Sequence, residues 1–205
     1  MNHGTKEQKI GRLDDSITTF IHALGVAESD DQRAQAWQMR GISQRLNKYF
    51  LEAHKSFEEA RIAAGTDNVR IAHIDRDDAM VLIDEFEKTG THEKLNRAIA
   101  MLKHSMSVFN YVGEQVEAAM SRGFLGYALS FYTDQTRALK ELKAADAVLR
   151  DGDNRDYELS NLTRLMEIES FLGKLWHMPR FLRLIRVTGQ TRRYKQAIRR
   201  RLFGK

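Results

Sequence analysis

Ala53-His-Lys-Ser-Phe57-Glu-Glu-Ala60 sets a small residue, a large apolar residue four places on, and a second small residue three places after that. Those intervals put all three on one helical stripe, where small side chains admit a neighbouring helix and the large one plugs the gap. The stripe recurs as Ser16/Phe20/Ala23, Ala98/Leu102/Ser105 and Ala138/Leu142/Ala145, at successive separations of 37, 45 and 40 residues. A single stripe of this kind would mean little. Four of them mark repeated helical units that stack to share one core.

Composition agrees with an all-α chain. Of 205 residues 42% are hydrophobic, enough to bury a substantial core. The single proline, Pro179, leaves the helical pattern before it almost uninterrupted, and Val, Ile and Thr do not cluster into alternating runs. Absence of cysteine excludes disulfides and thiolate metal sites. The opening MNHGTKEQKIGRLDDS has no apolar run behind its charges. Nowhere does an apolar run reach the roughly 18 residues of a membrane span, so neither a signal peptide nor a spanning helix is expected. A cytoplasmic location is the default. The net charge of +5 hides two opposed parts. Residues 180–205 hold ten Lys and Arg and no acid, whereas residues 1–179 hold 23 basic against 28 acidic residues.

Turn signals divide the chain. Helices are expected over about 13–27, 32–46, 49–64, 68–88, 92–109, 114–131, 135–150 and 155–173. Asn47-Lys48 and Thr89-Gly90-Thr91 make turns, Gly65-Thr-Asp-Asn and Asp151-Gly-Asp-Asn close units, and Asp134 is a candidate N-cap. Residues 1–11 are polar and too few for more than a short helical turn, so the first unit reads as incomplete, with its second helix alone. Pro179 is expected at the first position of a basic helix running to about 187. The organisation read from these signals is a repeat domain over 1–178, with units near 11–27 (partial), 32–64, 68–109, 114–150 and 155–178 (degenerate), followed by a basic helix and tail over 179–205.

The stretch Ala36-Trp37 through Gly41, continuing to Ala53, Phe57 and Ala60, resembles a tetratricopeptide repeat: an aromatic early in the first helix, a glycine where two helices cross closely, then the small/large/small stripe. Leu125-Gly126 stand in the same relation to Ala138, Leu142 and Ala145, and Gly11 to Phe20 resembles the turn and second helix of a unit. The chain departs from the pattern at Ile83, where a glycine is expected, at Arg40, which replaces a leucine, and in having no proline at the unit ends. The resemblance implies a right-handed superhelix of antiparallel helix pairs, about eight or nine helices with a capping helix at the C-terminus. It also implies a concave groove, lined by the first helix of each unit, that holds a peptide or a partner helix. Carried across, the groove positions are Gln35, Gln38, Met39, Ile42 and Arg45, then Asp77, Met80, Val81, Asp84 and Glu87, then Met120, Gly123, Phe124, Tyr127 and Ser130. The Lys and Asn pairs of the family's chaperone-binding clamp are missing. A groove acidic in the middle and Met/aromatic at one end would favour a basic, apolar partner segment.

Other chemistry is weakly signalled. His73 and Asp77 lie one turn apart, near His92, Asp75 and Asp78, but without a Glu-x-x-His motif or cysteine they read as a surface cluster rather than a metal site. No phosphate loop or nucleophile elbow occurs, so no catalytic residue, cofactor or small-molecule substrate is expected. Trp37, Trp176, Phe109, Phe131 and Phe171 sit at helical spacing among apolar neighbours and read as core. In Pro179 to Arg186, Phe181, Leu182, Leu184 and Ile185 project to one side and Arg180, Arg183 and Arg186 to the other. Farther on, Tyr194, Ile198 and Leu202 form a stripe among Arg192, Arg193, Lys195, Arg199, Arg200 and Arg201. Three uses are open: a cap on the last repeat, attachment to nucleic acid or an anionic membrane surface, or self-occupation of the acidic groove.

Overall fold

The computed structural model describes residues 2–10, 12–132, 135–151, 154–169 and 171–188. Among them the chain forms ten helices and no strand. These are α1 (Asn2–Ile10), α2 (Leu13–Gly25), α3 (Asp30–Leu46), α4 (Phe50–Ala64), α5 (Asn68–Thr89), α6 (His92–Tyr111), α7 (Gln115–Leu129), α8 (Gln135–Leu149), α9 (Arg155–Ile168) and α10 (Phe171–Val187). Each odd-numbered helix pairs with the next, and the pairs fall into two compact units, Met1–Gly113 and Glu114–Lys205.

Helix boundaries follow local chemistry. Ser29 accepts a hydrogen bond from the Gln32 amide, Asp67 from those of Val69 and Arg70, and Asn154 from that of Tyr157, each satisfying a first-turn donor. Gly90 ends α5 at φ 70° in the left-handed region, as its place in the turn predicts. Asp134 lies outside the described residues.

In the first unit the stripes point inward as expected. Of the four stripes along the chain, all twelve residues except Ala23 are fully buried. Phe57, Ala53 and Ala60 of α4 form a core with Ile74 and Val81 of α5, against which Trp37, Ile42 and Phe50 pack. In the α1/α2 and α3/α4 pairs a glycine stands 16 residues before the large stripe residue: a Cβ on Gly4 or Gly41 would lie 2.7 Å or 2.9 Å from the ring of Phe20 or Phe57, whereas α5 has no glycine facing Leu102. The second unit repeats this, with Gly126 against Leu142. Its core joins Leu142, Leu159, Leu162 and Leu165 to Phe181, Leu184 and Ile185 of α10.

Two expectations need correction. Residues 2–10 are a helix, so the first unit is a complete pair; the helix forms because it docks, with Gly4 on Phe20 and Gln8 Nε2 donating to Ser43 Oγ at 2.7 Å and to the Met39 carbonyl at 3.0 Å. At the other end, α9 stops at Ile168, where Glu169 is extended (ψ 154°), and Pro179 lies inside α10 rather than at its start. The boundary expected before 179 thus falls within a continuous helix. Pro179 is exposed and removes only one intrahelical donor, whereas the three apolar residues after it anchor the helix.

Candidate partner-binding face

The first helices of the second and third pairs in unit one, α3 and α5, are joined side by side by three polar ties. Arg70 Nη2 donates to Asp31 Oδ1 at 2.5 Å, Gln38 Nε2 to Asp77 Oδ2 at 2.7 Å, and Arg45 Nη1 to Asp84 Oδ2 at 3.1 Å. Every tie spans 39 residues, and its members recur at intervals of seven on each helix, so one stripe of α3 is stitched to one stripe of α5. Two of the three acids expected to select a basic partner, Asp77 and Asp84, therefore already receive donors from within the chain. Next to the ties Gln35, Met39 and Ile42 run along α3 at i, i+4 and i+7, all half-buried, with Ile42 leaning on the core. On α5, Met80 is 5% exposed and belongs to the core, while Glu87 is exposed.

The groove positions of α7 belong to unit two. Met120 and Phe124 are buried there and Tyr127 is half-buried. Arg164 of α9 lies over both rings, its guanidinium carbon 4.6 Å from the Phe124 centroid and 4.7 Å from that of Tyr127. Tyr157 meets Phe124 edge-on at 6.1 Å and Phe131 meets Tyr127 at 5.1 Å. This aromatic group thus has a cation from its own unit stacked on it.

The acids read as a surface cluster are placed differently. Asp78 is buried, and α4 supplies two side chains to it: His54 Nδ1 at 2.5 Å and Arg61 Nη2 at 2.5 Å. Arg61 Nε also donates to Asp75 at 2.7 Å, and His54 Nε2 faces Glu85, which Lys94 holds from α6. His54 and Arg61 are seven apart on α4, as are Asp78 and Glu85 on α5; that shared heptad interval is the signal that sequence reading passes over. His73 is half-buried with its ring 4.7 Å from Phe109, so it and Asp77 serve different contacts. No group of three or more His, Asp or Glu among the described residues is arranged to hold a metal. Of the aromatics read as core, Phe109 is fully buried, Trp37 and Phe131 are half-buried, and the side chains of Trp176 and Phe171 lie outside the described residues.

Burial alone would lower the His54 pKa, but the hydrogen bonds and charges of Asp78 and Glu85 outweigh it and raise it. Likewise burial would raise Asp78, yet His54 and Arg61 hold it below the usual carboxylate range. A raised imidazole contributes stability that is full below its ordinary value and is lost as pH rises through the folded one. Unit one is therefore expected to lose melting temperature as pH rises above the ordinary imidazole value of about 6.5 and on through the raised value of folded His54. His54→Gln should flatten that slope, measured by thermal denaturation of both proteins across the series.

The basic C-terminus is divided by the structure. Phe181, Leu184 and Ile185 are buried, but Leu182 is 49% exposed, because it projects away from α9. Arg183 and Arg186 are exposed as expected. Arg180 is not: its Nε donates to Glu158 Oε1 at 2.7 Å and its Nη1 to Asp146 Oδ2 at 2.8 Å, pinning α10 to α8 and α9. Arg192, Arg193, Lys195, Arg199, Arg200 and Arg201 lie outside the described residues. No helix among the described residues is long and apolar enough to cross a membrane.

No family model and no curated protein matches the sequence. Solved structures do. BtubC (BKLC) from P. vanneervenii matches with a TM-score of 0.62 at 13% identity, over 94% of this chain and 78% of that one. A putative kinesin light chain from Podosopora anserina, with nearly identical TPR-like repeats, matches with a TM-score of 0.56 at 13% identity, over 93% of each chain. At this identity the likeness is one of fold, and it agrees with the glycine-and-stripe pairs above. The chain has the tetratricopeptide-like fold, a helical-repeat scaffold of stacked antiparallel pairs.

Proposed function

We propose that the chain is a non-enzymatic adaptor that holds a peptide or helix of a partner protein on the α3/α5 face of its first unit. One observation carries the reading: Gln35, Met39 and Ile42 form a continuous helical stripe still partly open to solvent, beside ties that hold α3 and α5 in fixed register. A preformed face lowers the ordering cost of binding, and a flexible methionine beside an aliphatic side chain suits an apolar anchor. Because Asp77 and Asp84 are tied internally, the apolar stripe rather than the acids is the leading contact. The test is affinity capture with wild type and a Gln35→Arg/Met39→Glu variant that leaves the ties intact. Loss of a specific partner at unchanged melting temperature supports the face; capture of the same partners at equal strength rejects it.

A second reading rests on the exposed Arg183 and Arg186, which continue into the basic sequence 189–205. They would attach the scaffold to nucleic acid or an anionic membrane surface, while Arg180, engaged within unit two, would take no part. Retention on an RNA or DNA column should then weaken steeply with salt and fall with Arg183→Glu/Arg186→Glu; vesicles of acidic lipid test the membrane version. Absence of retention on either at low salt removes this reading.

A further inference from the structure

We propose that Arg40 is a recognition point for a carboxylate carried by an acidic segment of a partner protein, on the side of α3 away from the stripe described above. Its position follows from its neighbours. Ser43, three residues on, meets Ser16 of α2 at 2.8 Å, and Gln44, four residues on, accepts from Ser56 of α4 at 2.6 Å. Arg40, one turn before both, therefore sits over the seam where α2 and α4 flank α3. Its guanidinium carbon lies 4.9 Å from the centroid of Trp37, which itself packs on the Phe57/Ile74/Val81 core.

What sets Arg40 apart is that it is half-buried and yet has no counter-ion among the described residues. Its Nε is buried with no hydrogen-bond partner, and no hydrogen bond or ion pair reaches the side chain among the described residues. Arg45, Arg61, Arg70 and Arg180 each hold a carboxylate. The same contrast shows in their protonation: burial lowers the Arg40 pKa with nothing opposing it, whereas in Arg61 the hydrogen bonds and charges of Asp78 and Asp75 overcome burial and raise it. Arg40 is half-buried, and the part of its guanidinium removed from water, the Nε–H, has no acceptor, so an anion reaching the open edge of the group would offset that cost. A guanidinium lying on an indole keeps its in-plane N–H edge available, and that fork fits a carboxylate with two parallel hydrogen bonds. A nucleic-acid backbone is gripped by several cations at once, but one isolated guanidinium matches one singly charged group.

The experiment follows the Arg40 Nε–H and Trp37 indole N–H resonances of the full chain during titration with triglutamate, triglutamine and inorganic phosphate. Triglutamate is expected to shift both signals saturably and triglutamine to leave them in place. Arg40→Met should weaken the Trp37 response by about tenfold or more, the loss of a charged, two-pronged hydrogen bond. If that variant does not fold, the wild-type comparison of triglutamate with triglutamine decides alone. No shift with triglutamate, an equal shift with triglutamine, a stronger response to phosphate, or a Trp37 response that survives in Arg40→Met overturns the proposal.

Discussion

Replacing Arg180 with methionine should destabilise the second unit by about 3 kcal/mol, because it leaves two buried carboxylates without their shared cation. Asp146 and Glu158 are 3% and 2% exposed, and Arg180 bonds both from α10. Arg150 and Arg155 also touch them, but from more exposed positions, and Asp146 Oδ1 already lacks a hydrogen-bond partner. Methionine keeps the stem's apolar packing, so the loss reports the charge. Arg183→Met on the exposed side of the same helix is the control and should stay within about 0.5 kcal/mol of wild type. Denaturant unfolding of the three proteins measures both. Acid adds an independent check. Burial alone would raise the Asp146 pKa, but Arg180 and Arg150 outweigh it and hold it below the usual carboxylate range. Its contribution is thus present above the ordinary carboxylate value and lost as pH falls through the lower, folded one. Wild type should lose stability on acidification more steeply than Arg180→Met.

Gly126→Ala is expected to cost about 3 kcal/mol, the upper range for forcing one methyl into a closed contact. A Cβ there would lie 2.7 Å from Leu142 Cγ and 3.1 Å from both the Ala138 carbonyl oxygen and the Leu142 amide nitrogen. Two of those atoms are backbone, so α8 itself would have to move. Gly41→Ala meets only the far end of the Phe57 ring, which can tilt, and should cost less. Gly25→Ala, with nothing within 4 Å, should be neutral or slightly stabilising. Unfolding midpoints of the three variants give the order directly. Pairing Gly126→Ala with Leu142→Ala should cost less than the two changes summed, since the second removes the obstruction created by the first.

These two predictions rest on features of very different visibility in the sequence. The stripe Ala138/Leu142/Ala145 and the glycine facing it show as spacing, because a helix converts intervals of three, four and seven into a shared face. Arg180 reads as one more basic tail residue, since nothing local reveals that α8 and α9 present acids to it from 34 and 22 positions away. α1 escapes for a similar reason. Its residues are polar, and its helix is made by docking through Gly4 and Gln8 rather than by intrinsic preference. The end of α9 carries neither glycine nor proline, while the proline that does occur is accommodated within α10. On the α3/α5 face the positions were legible but not their engagement: Asp77 and Asp84 are acids in the sequence and tie points in the structure.

The proposal that the first unit carries a partner on its α3/α5 face is tested most directly by the methyl spectrum of methionine-labelled protein. The chain has eight methionines, of which Met39 lies half-buried on that face and Met166 lies in the core that α9 and α10 share in the other unit. Adding a captured partner to saturation should shift the Met39 methyl resonance and leave that of Met166 in place. A Met39 signal unmoved at saturation would contradict the account.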